Sequence, residues 1–190
     1  MLDIQQIKIS TKHTQSVLKH INNIDGVHFV TGFFNRELLY RLLEYCQTTT
    51  SWQPIFDPDQ KEIQYRKKIT WEEDTVVEVV YSVLQNVTPQ LENIFNKQLK
   101  FNGLDLWKDT KGYTIKRHTD NPIFNVSLQI YINNLPHLVT VFEHNGIHVT
   151  DSNPGSGYIA DNTKGARVPH WLNGIVPADF NRYSLHATWT

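Results

Sequence analysis

The apolar positions in the first half of the chain recur every three or four residues, a spacing that places them on one face of a helix. Asn35 is a good N-cap residue and precedes the first such stretch. Thr70-Trp71-Glu72-Glu73 is a capping-box pattern before the second stretch, and Thr88-Pro89 predicts a third, short helix that ends near Phe95. The two main apolar stripes are Leu38, Leu39, Leu42, Leu43 and Cys46, then Val76, Val79, Val80, Val83, Leu84 and Val87.

Residues 48–69 lack clear periodicity, and a stretch of this length between helices predicts a lid over a binding site. From residue 99 onward the pattern changes to short alternating runs bounded by turn residues, which predicts strands. Helices followed by strands favour an α+β, mainly β fold, namely a double-stranded β-helix (jelly roll) core buttressed by N-terminal helices. We expect a single domain over 1–190, with the helical buttress and lid in 1–98 and the core strands in 99–190. The clearest strand runs are 126–132, 139–142, 157–160 and 182–189.

Composition narrows the class of protein. The chain has 190 residues, of which 39% are hydrophobic and 12% aromatic, so a packed domain is expected. A net charge of −1 and a single compact basic run, Arg66-Lys67-Lys68, argue against nucleic acid as a partner. Cys46 is the only cysteine and cannot form an intrachain disulfide, and no apolar run predicts a signal or a membrane span. We therefore expect a cytoplasmic protein with no membrane partner.

His118 and Asp120 form the most informative short motif. If they lie at the end of a strand closed by Pro122, both side chains point to one face, because strand side chains alternate. An imidazole beside a carboxylate suits Fe(II) and needs one distant histidine to complete a facial triad. The candidates for that third ligand are His137, His144, His148, His170 and His186.

His170 is the candidate that precedes an arginine-bearing strand. Residues 170–176 and 182–189 predict a hairpin across the turn at 177–181. Pairing across that turn would place Arg182 roughly 16 Å from His170, at about 3.3 Å per residue. A five-carbon diacid chelating a metal, together with an extended arginine side chain, would span that distance. Arg182 and Ser184 share a strand face, so both are candidates to bind one carboxylate.

Tyr131 lies on the same predicted strand face as three other polar residues, Asn125, Ser127 and Gln129. A site interior would explain this polar row in an otherwise apolar strand. A face exposed to solvent would explain it as well. Trp107 and Tyr113 lie before His118 and are expected either in the pocket or in the core, and Cys46 is expected to be a small buried hydrophobe. Within 48–69, Asp57, Asp59 and Arg66 are candidates for substrate contact or ordinary solvated positions.

The sequence resembles the Fe(II)/2-oxoglutarate oxygenase superfamily and, within it, the prolyl 4-hydroxylase-like branch. The motifs that carry this resemblance are His118-Thr119-Asp120-Asn121-Pro122, Tyr131-Ile132-Asn133 and Arg182-Tyr183-Ser184-Leu185, and the likeness covers most of 100–190. Val139-Thr140-Val141-Phe142 departs from the Gly-Thr-x-Phe of many relatives. The likeness reaches the segment from Val27 to Cys46 weakly.

The resemblance implies a site as well as a fold. His118, Asp120 and His170 would hold the iron, Arg182 would bind the distal carboxylate of 2-oxoglutarate, and Tyr131 would be a second contact to this co-substrate. The implied cofactors are Fe(II), 2-oxoglutarate and O2, with ascorbate as an accessory reductant.

The implied activity is hydroxylation of a C–H bond, first of a prolyl or other peptidyl residue, with release of succinate and CO2. Asp120 favours hydroxylation, because relatives that halogenate carry a small residue there. The alternatives are oxidation of a free amino acid or small metabolite, nucleobase demethylation, a non-catalytic jelly-roll binding module and a zinc hydrolase. Demethylation is disfavoured because Thr188 stands where that branch has a second arginine, and a zinc hydrolase would leave Arg182 and Ser184 without a task.

Overall fold

A computed structural model describes residues 23–56, 62–68, 75–133, 137–163 and 167–190. Within these ranges the chain forms two helices and eleven strands. The helices are α1 (Arg36–Thr48) and α2 (Thr75–Phe95). The strands are β1 (Asn23–Ile24), β2 (Val27–Val30), β3 (Gln53–Phe56), β4 (Glu62–Lys68), β5 (Phe101–Asp109), β6 (Val126–Tyr131), β7 (Thr140–Glu143), β8 (Ile147–Val149), β9 (Gly157–Asp161), β10 (His170–Leu172) and β11 (Arg182–Trp189).

The strands form two antiparallel sheets, and the chain passes from one sheet to the other after β6, β8, β9 and β10. The large sheet has the order β1-β2-β9-β6-β11-β5-β4-β3, and the small sheet has the order β10-β7-β8. Side chains of the central strands alternate between two environments, as the two-residue period of a strand requires. One face of the large sheet is apolar and packs on the helices, and the other carries polar side chains. On β11 the apolar set is Tyr183, Leu185, Ala187 and Trp189, and the polar set is Arg182, Ser184, His186 and Thr188.

The first helix forms where the sequence predicts it. The Asn35 side chain accepts a hydrogen bond of 2.8 Å from the backbone N–H of Leu38, which satisfies a free donor in the first turn. The predicted apolar stripe faces the core, where Cys46 is among the buried residues. Neither helix of the described ranges has an apolar stretch that could span a membrane.

The predicted break at Thr88-Pro89 is wrong, because α2 continues through Pro89. A proline inside a helix removes one backbone hydrogen bond and costs about 3 kcal/mol. Here the buried stripe runs past it, with Leu84 and Val87 before the proline and Leu91 after it. Burial of these side chains outweighs the local cost. The capping box at residues 70–73 lies outside the described residues.

The N-terminal half also contributes strands that the sequence pattern did not reveal. β1 and β2 extend one end of the large sheet, and β3 and β4 extend the other. The stretch 48–69, predicted as a lid without periodicity, thus includes the edge hairpin β3–β4, and its role as a lid stays a prediction. In this hairpin Arg66 forms an ion pair with Asp105, while Asp57 and Asp59 lie outside the described residues.

The predicted hairpin between 170–176 and 182–189 is wrong. β10 pairs with β7 in the small sheet, whereas β11 lies between β5 and β6 in the large sheet. The partner of a short strand is set by the sheet in which it packs. Adjacency in sequence does not determine that partner. His170 and Arg182 therefore reach the interior from different sheets, and the 16 Å estimate along one hairpin does not apply.

Gly157 lies against the backbone of the neighbouring strand β6, and its replacement gives a test of the fold. A Cβ atom built on Gly157 would lie 1.8 Å from the carbonyl oxygen of Gln129, so the backbone would have to move. We expect Gly157→Ala to lower the free energy of unfolding by about 3 kcal/mol and the melting temperature by about 10 °C. Ile159→Val on the same strand is the control, with an expected loss of about 1 kcal/mol. Equal losses in thermal unfolding would contradict the close approach.

Candidate metal centre

Three side chains predicted as metal ligands meet between the two sheets. His118, Asp120 and His170 each present a ligand atom, and these atoms lie within 4.8 Å of one another. Asp120 Oδ1 lies 3.7 Å from His118 Nε2 and 3.5 Å from His170 Nε2. Two imidazole nitrogens and one carboxylate oxygen around a common point form the donor set of a facial triad.

The hydrogen bonds of the two imidazoles leave the correct nitrogens free for a metal. Nδ1 of His118 lies 2.9 Å from the carbonyl oxygen of Lys116, and Nδ1 of His170 lies 3.1 Å from that of Val168. A carbonyl only accepts, so Nδ1 is the donor in each ring, and Nε2, which lies nearer to Asp120, is the nitrogen left for a metal. This arrangement fits a divalent cation bound by both Nε2 atoms.

The backbone explains why the histidines meet. The segment 112–118 runs antiparallel to 170–176, and His118 and His170 exchange two backbone hydrogen bonds of 2.9 and 2.8 Å. Gly112, with a φ of +88°, opens this segment after β5. The predicted regular strand ending at Pro122 is wrong, since only His118 forms a bridge there.

The charges at the centre favour an ionised carboxylate. Burial raises the pKa of Asp120, but the imidazoles of His118 and His170 outweigh burial and hold that pKa well below its usual range. The interaction with Asp120 raises the pKa of His118, against the opposing effect of burial. The backbone carbonyl of Asp120 accepts a hydrogen bond of 3.0 Å from Arg167 Nη1, which helps to fix its position.

A small inner cavity extends from this centre to Arg182. Its volume is about 120 Å³, roughly that of four water molecules. Arg182 is one of its lining residues, but the guanidinium is not free: Nη1 donates a hydrogen bond of 2.6 Å to Asp109 Oδ2. Gln64 donates a second hydrogen bond, of 2.9 Å, to Asp109 Oδ1. The predicted anchor for a carboxylate thus already has an internal carboxylate partner.

Two other predicted co-substrate contacts take part in internal hydrogen bonds. Ser184 accepts a bond of 3.2 Å from Gln129, and the Tyr131 hydroxyl lies 2.7 and 2.8 Å from those of Thr140 and Thr150. The Tyr131 ring also lies under the Arg182 guanidinium, at 5.0 Å. Both residues are buried, and the lining of the inner cavity includes Arg182 and Thr140 but neither Ser184 nor Tyr131.

The polar row along β6 was expected to face either a site interior or solvent. Two of its members, Ser127 and Gln129, face the interior. Ser127 lies 3.4 Å from Asp120 Oδ2 through its hydroxyl. Gln129 lines the inner cavity and accepts a hydrogen bond of 2.7 Å from the Tyr158 hydroxyl. Ser127 and Gln129 of this row therefore lie beside the metal centre.

A larger outer cavity, of about 690 Å³, adjoins the inner one. Trp107, Asp120 and His186 line both cavities, so the two cavities meet at these residues. Burial lowers the pKa of His186, so its imidazole is neutral, and its ring contacts that of Trp107 at 5.6 Å. Trp107 Nε1 is buried with no hydrogen-bond partner among the described residues. The outer wall also carries Arg66, Lys68, Tyr81, Asn102, Asn121, Phe124 and Asn162.

The remaining candidate histidines lie away from the triad. His144 and His148 contact each other at the β7–β8 turn, where His148 Nε2 lies 3.0 Å from the His144 carbonyl oxygen. His137 is exposed. Of the predicted pocket aromatics, Trp107 and Tyr113 both line the inner cavity.

Comparison with known proteins gives the fold a wider context. No family model and no curated protein sequence matches the chain. Solved structures do match. A Trichoplax adhaerens prolyl hydroxylase in complex with a hypoxia inducible factor peptide fragment has a TM-score of 0.69 at 13% identity, covering 100% of this chain and 94% of its own. The chain has the fold of the 2OG-Fe(II) oxygenases. The predicted jelly-roll core is thereby confirmed.

Two further structures with this fold differ in what they act on. A Pseudomonas putida prolyl-4-hydroxylase has a TM-score of 0.63 at 15% identity, with 95% of this chain and 98% of that chain covered. The epimerase SnoN, in complex with Fe3+, alpha ketoglutarate and nogalamycin RO, has a TM-score of 0.68 at 10% identity, with 95% and 83% covered. The fold therefore occurs in proteins described as prolyl hydroxylases and as an epimerase.

Sequence reasoning missed the residues that surround Arg182. Asp109 is the last residue of β5, in which Asp105, Trp107 and Asp109 alternate with Leu104, Leu106 and Lys108, so a two-residue period places the first three on one face. That signal could have placed Asp109 beside Trp107, but it does not identify Arg182 as the partner. Gln64 had no signal, since its strand was not predicted.

Proposed function

We propose that the protein is an Fe(II)- and 2-oxoglutarate-dependent dioxygenase that hydroxylates a C–H bond. One observation carries this proposal: a two-histidine, one-carboxylate cluster, with both Nδ1 atoms held by backbone carbonyls, lines the same small cavity as Arg182. Such a cavity suits a short acid that reaches both the metal and a cation. The fold shared with the 2OG-Fe(II) oxygenases supports the same assignment.

Each residue has a distinct task in this proposal. His118, Asp120 and His170 would hold the iron and leave its remaining positions open. Arg182 would orient 2-oxoglutarate through its distal carboxylate, and the narrow inner cavity would exclude bulk water. The bound iron would supply oxidation of a substrate C–H bond by O2, coupled to conversion of 2-oxoglutarate into succinate and CO2.

The first candidate substrate is a prolyl or other peptidyl residue. The outer cavity opens beside Asp120, so an extended peptide could place one residue near the metal while its neighbours remain outside. Two of the similar structures are described as prolyl hydroxylases, one of them in complex with a peptide. The edge hairpin β3–β4 supplies Arg66 and Lys68 to the same cavity and would contact such a chain.

The second candidate is a free amino acid or other small metabolite. The outer cavity, at about 690 Å³, lies within the usual range for small-molecule sites, about 300–1,000 Å³. The complex of SnoN with nogalamycin RO gives an example of this fold with a small molecule. A panel of peptides and metabolites would separate the two candidates.

Turnover of 2-oxoglutarate tests the proposal. With Fe(II), ascorbate and O2, the purified protein is expected to form succinate, and succinate formation is expected to rise when a true substrate is added. We expect His170→Ala to reduce this turnover by more than about 100-fold, because a ligand contributes at least as much as its supporting residues. His148→Ala, which removes a histidine of the β7–β8 turn, is the matched control and is expected to retain activity. Binding of iron without succinate formation in any condition would instead favour a non-catalytic module.

A further inference from the structure

The Asp109 carboxylate, which is bound to Arg182 inside the protein, has no role in the proposed function so far. Gln64, Asp109 and Arg182 are cross-strand neighbours on β4, β5 and β11, so they form a row across three strands. We call this the Gln64–Asp109–Arg182 row. Asp109 and Arg182 have side chains only 1% and 6% exposed. A buried cation without a counter-ion is strongly unfavourable, so Asp109 allows Arg182 to remain charged when the cavity holds no acid.

Binding of a second carboxylate changes this balance. A diacid that reaches Arg182 would place its distal carboxylate and that of Asp109 on one guanidinium, and both protein side chains are almost fully buried. Two carboxylates that share a site cannot both ionise at their ordinary pKa, and one of them is expected to take up a proton. A protonated Asp109 could then donate a hydrogen bond to the incoming carboxylate.

The surroundings of Asp109 favour it as the group that takes the proton. Burial raises its pKa, against the opposing effects of Arg182 and of the hydrogen bonds from Gln64 and Arg182. Within the part of the chain that the structure describes, Tyr113, on the loop after β5, is a further titratable group that interacts with it. Gln64 on β4 is neutral. Desolvation thus makes protonation of Asp109 easier than for an exposed carboxyl group.

We propose that Asp109 sets the affinity of the proposed co-substrate site: it is an internal counter-ion of Arg182 that must be neutralised by a proton when a dicarboxylic acid binds. This inference rests on the proposed function, because it takes 2-oxoglutarate as that acid. Affinity for the acid falls as pH rises through the interval between the pKa of Asp109 in the free protein and its higher pKa in the complex. The fall is about tenfold per pH unit where one proton is taken up.

The experiment is isothermal titration calorimetry of the Mn(II)-loaded protein with 2-oxoglutarate, from about pH 6 to about pH 8. Repeating the titration in buffers of different ionisation enthalpy counts the protons taken up by the wild-type protein, with no variant needed. We expect uptake of about one proton per acid bound. A count near zero would overturn the inference even if the acid binds tightly.

Asp109→Asn tests whether Asp109 competes with 2-oxoglutarate for Arg182 or only holds the Arg182 side chain in place. Asparagine keeps an acceptor for Arg182 and removes the negative charge, so 2-oxoglutarate is expected to bind about tenfold more tightly at the upper end of the pH range, with little pH dependence. If Asp109 merely holds Arg182 in place, the variant binds more weakly. Asp161→Asn is the matched control, because Asp161 forms an ion pair with Lys97 away from both cavities that surround Asp120.

The outcomes separate this inference from the proposed function. Binding by Asp109→Asn but not by the wild-type protein supports an inhibitory counter-ion. Weaker binding by the variant overturns the inference and leaves the proposed function intact. Binding of Mn(II) by both proteins with no binding of 2-oxoglutarate by either overturns both.

Discussion

His170→Ala is expected to lower the affinity of the protein for Mn(II) by more than about 100-fold. His170 supplies one of three ligand atoms, and its Nδ1 hydrogen bond to Val168 fixes the ring in the binding orientation. The two remaining ligands would leave the cation with too few protein donors for tight binding. Titration with Mn(II), followed by electron paramagnetic resonance of the free ion, measures the affinity directly.

A matched histidine makes this prediction specific. His148 also directs a ring nitrogen to a backbone carbonyl, but it lies on β8 and not in the cluster. His148→Ala should bind Mn(II) as the wild-type protein does. If His170→Ala retains wild-type affinity while folded, as judged by circular dichroism, the three side chains do not form the metal site.

Arg182→Met is expected to destabilise the protein more than any exposed substitution, by about 3–5 kcal/mol near neutral pH. The loss arises because Asp109 would remain buried without its cation. Its pKa in the folded variant would rise further above that in the unfolded chain, so the loss grows as pH rises above the ordinary carboxyl range and shrinks at lower pH. Urea unfolding at several pH values measures the effect.

Two companion variants test the cause of that loss. Asp109→Asn combined with Arg182→Met should recover much of the stability, because no uncompensated charge is left. Arg41→Met removes a partly exposed arginine whose partner Glu37 lies 3.4 Å away, and it should cost no more than about 0.5 kcal/mol. A loss for Arg182→Met that is independent of pH and unchanged in the double variant would show that packing, not charge, is responsible.

The parts of the fold that local patterns specify could be predicted from the sequence. The first helix follows from Asn35 and its apolar stripe, and β11 follows from its alternation. The helix break at Pro89 was wrong because a local preference of a few kcal/mol is smaller than the burial gained by continuing the helix. Local propensity does not include that tertiary contribution.

The ligand residues of the candidate site could be predicted from the sequence, but the strand pairing that brings them together could not. His118, Asp120 and His170 come together as expected, but His170 lies on the small sheet and reaches the cluster through backbone pairing with His118. Short strands such as β10 carry too few residues to specify their partner. The pairing of Asp109 with Arg182 was likewise hidden, because it depends on the register of β5 against β11.

The backbone link between His118 and His170 has a consequence for engineering by insertion and deletion. Segment 112–118 is hydrogen-bonded to 170–176 at both ends. Adding or removing one residue between Gly112 and His118 would therefore change the register and move the His118 imidazole away from that of His170. The β7–β8 turn, with Asn145 and Gly146 at φ of 49° and 135°, lies outside this pairing. Length variants, tags or reporter groups should therefore be tolerated at that turn, whereas the approach to His118 has a fixed length.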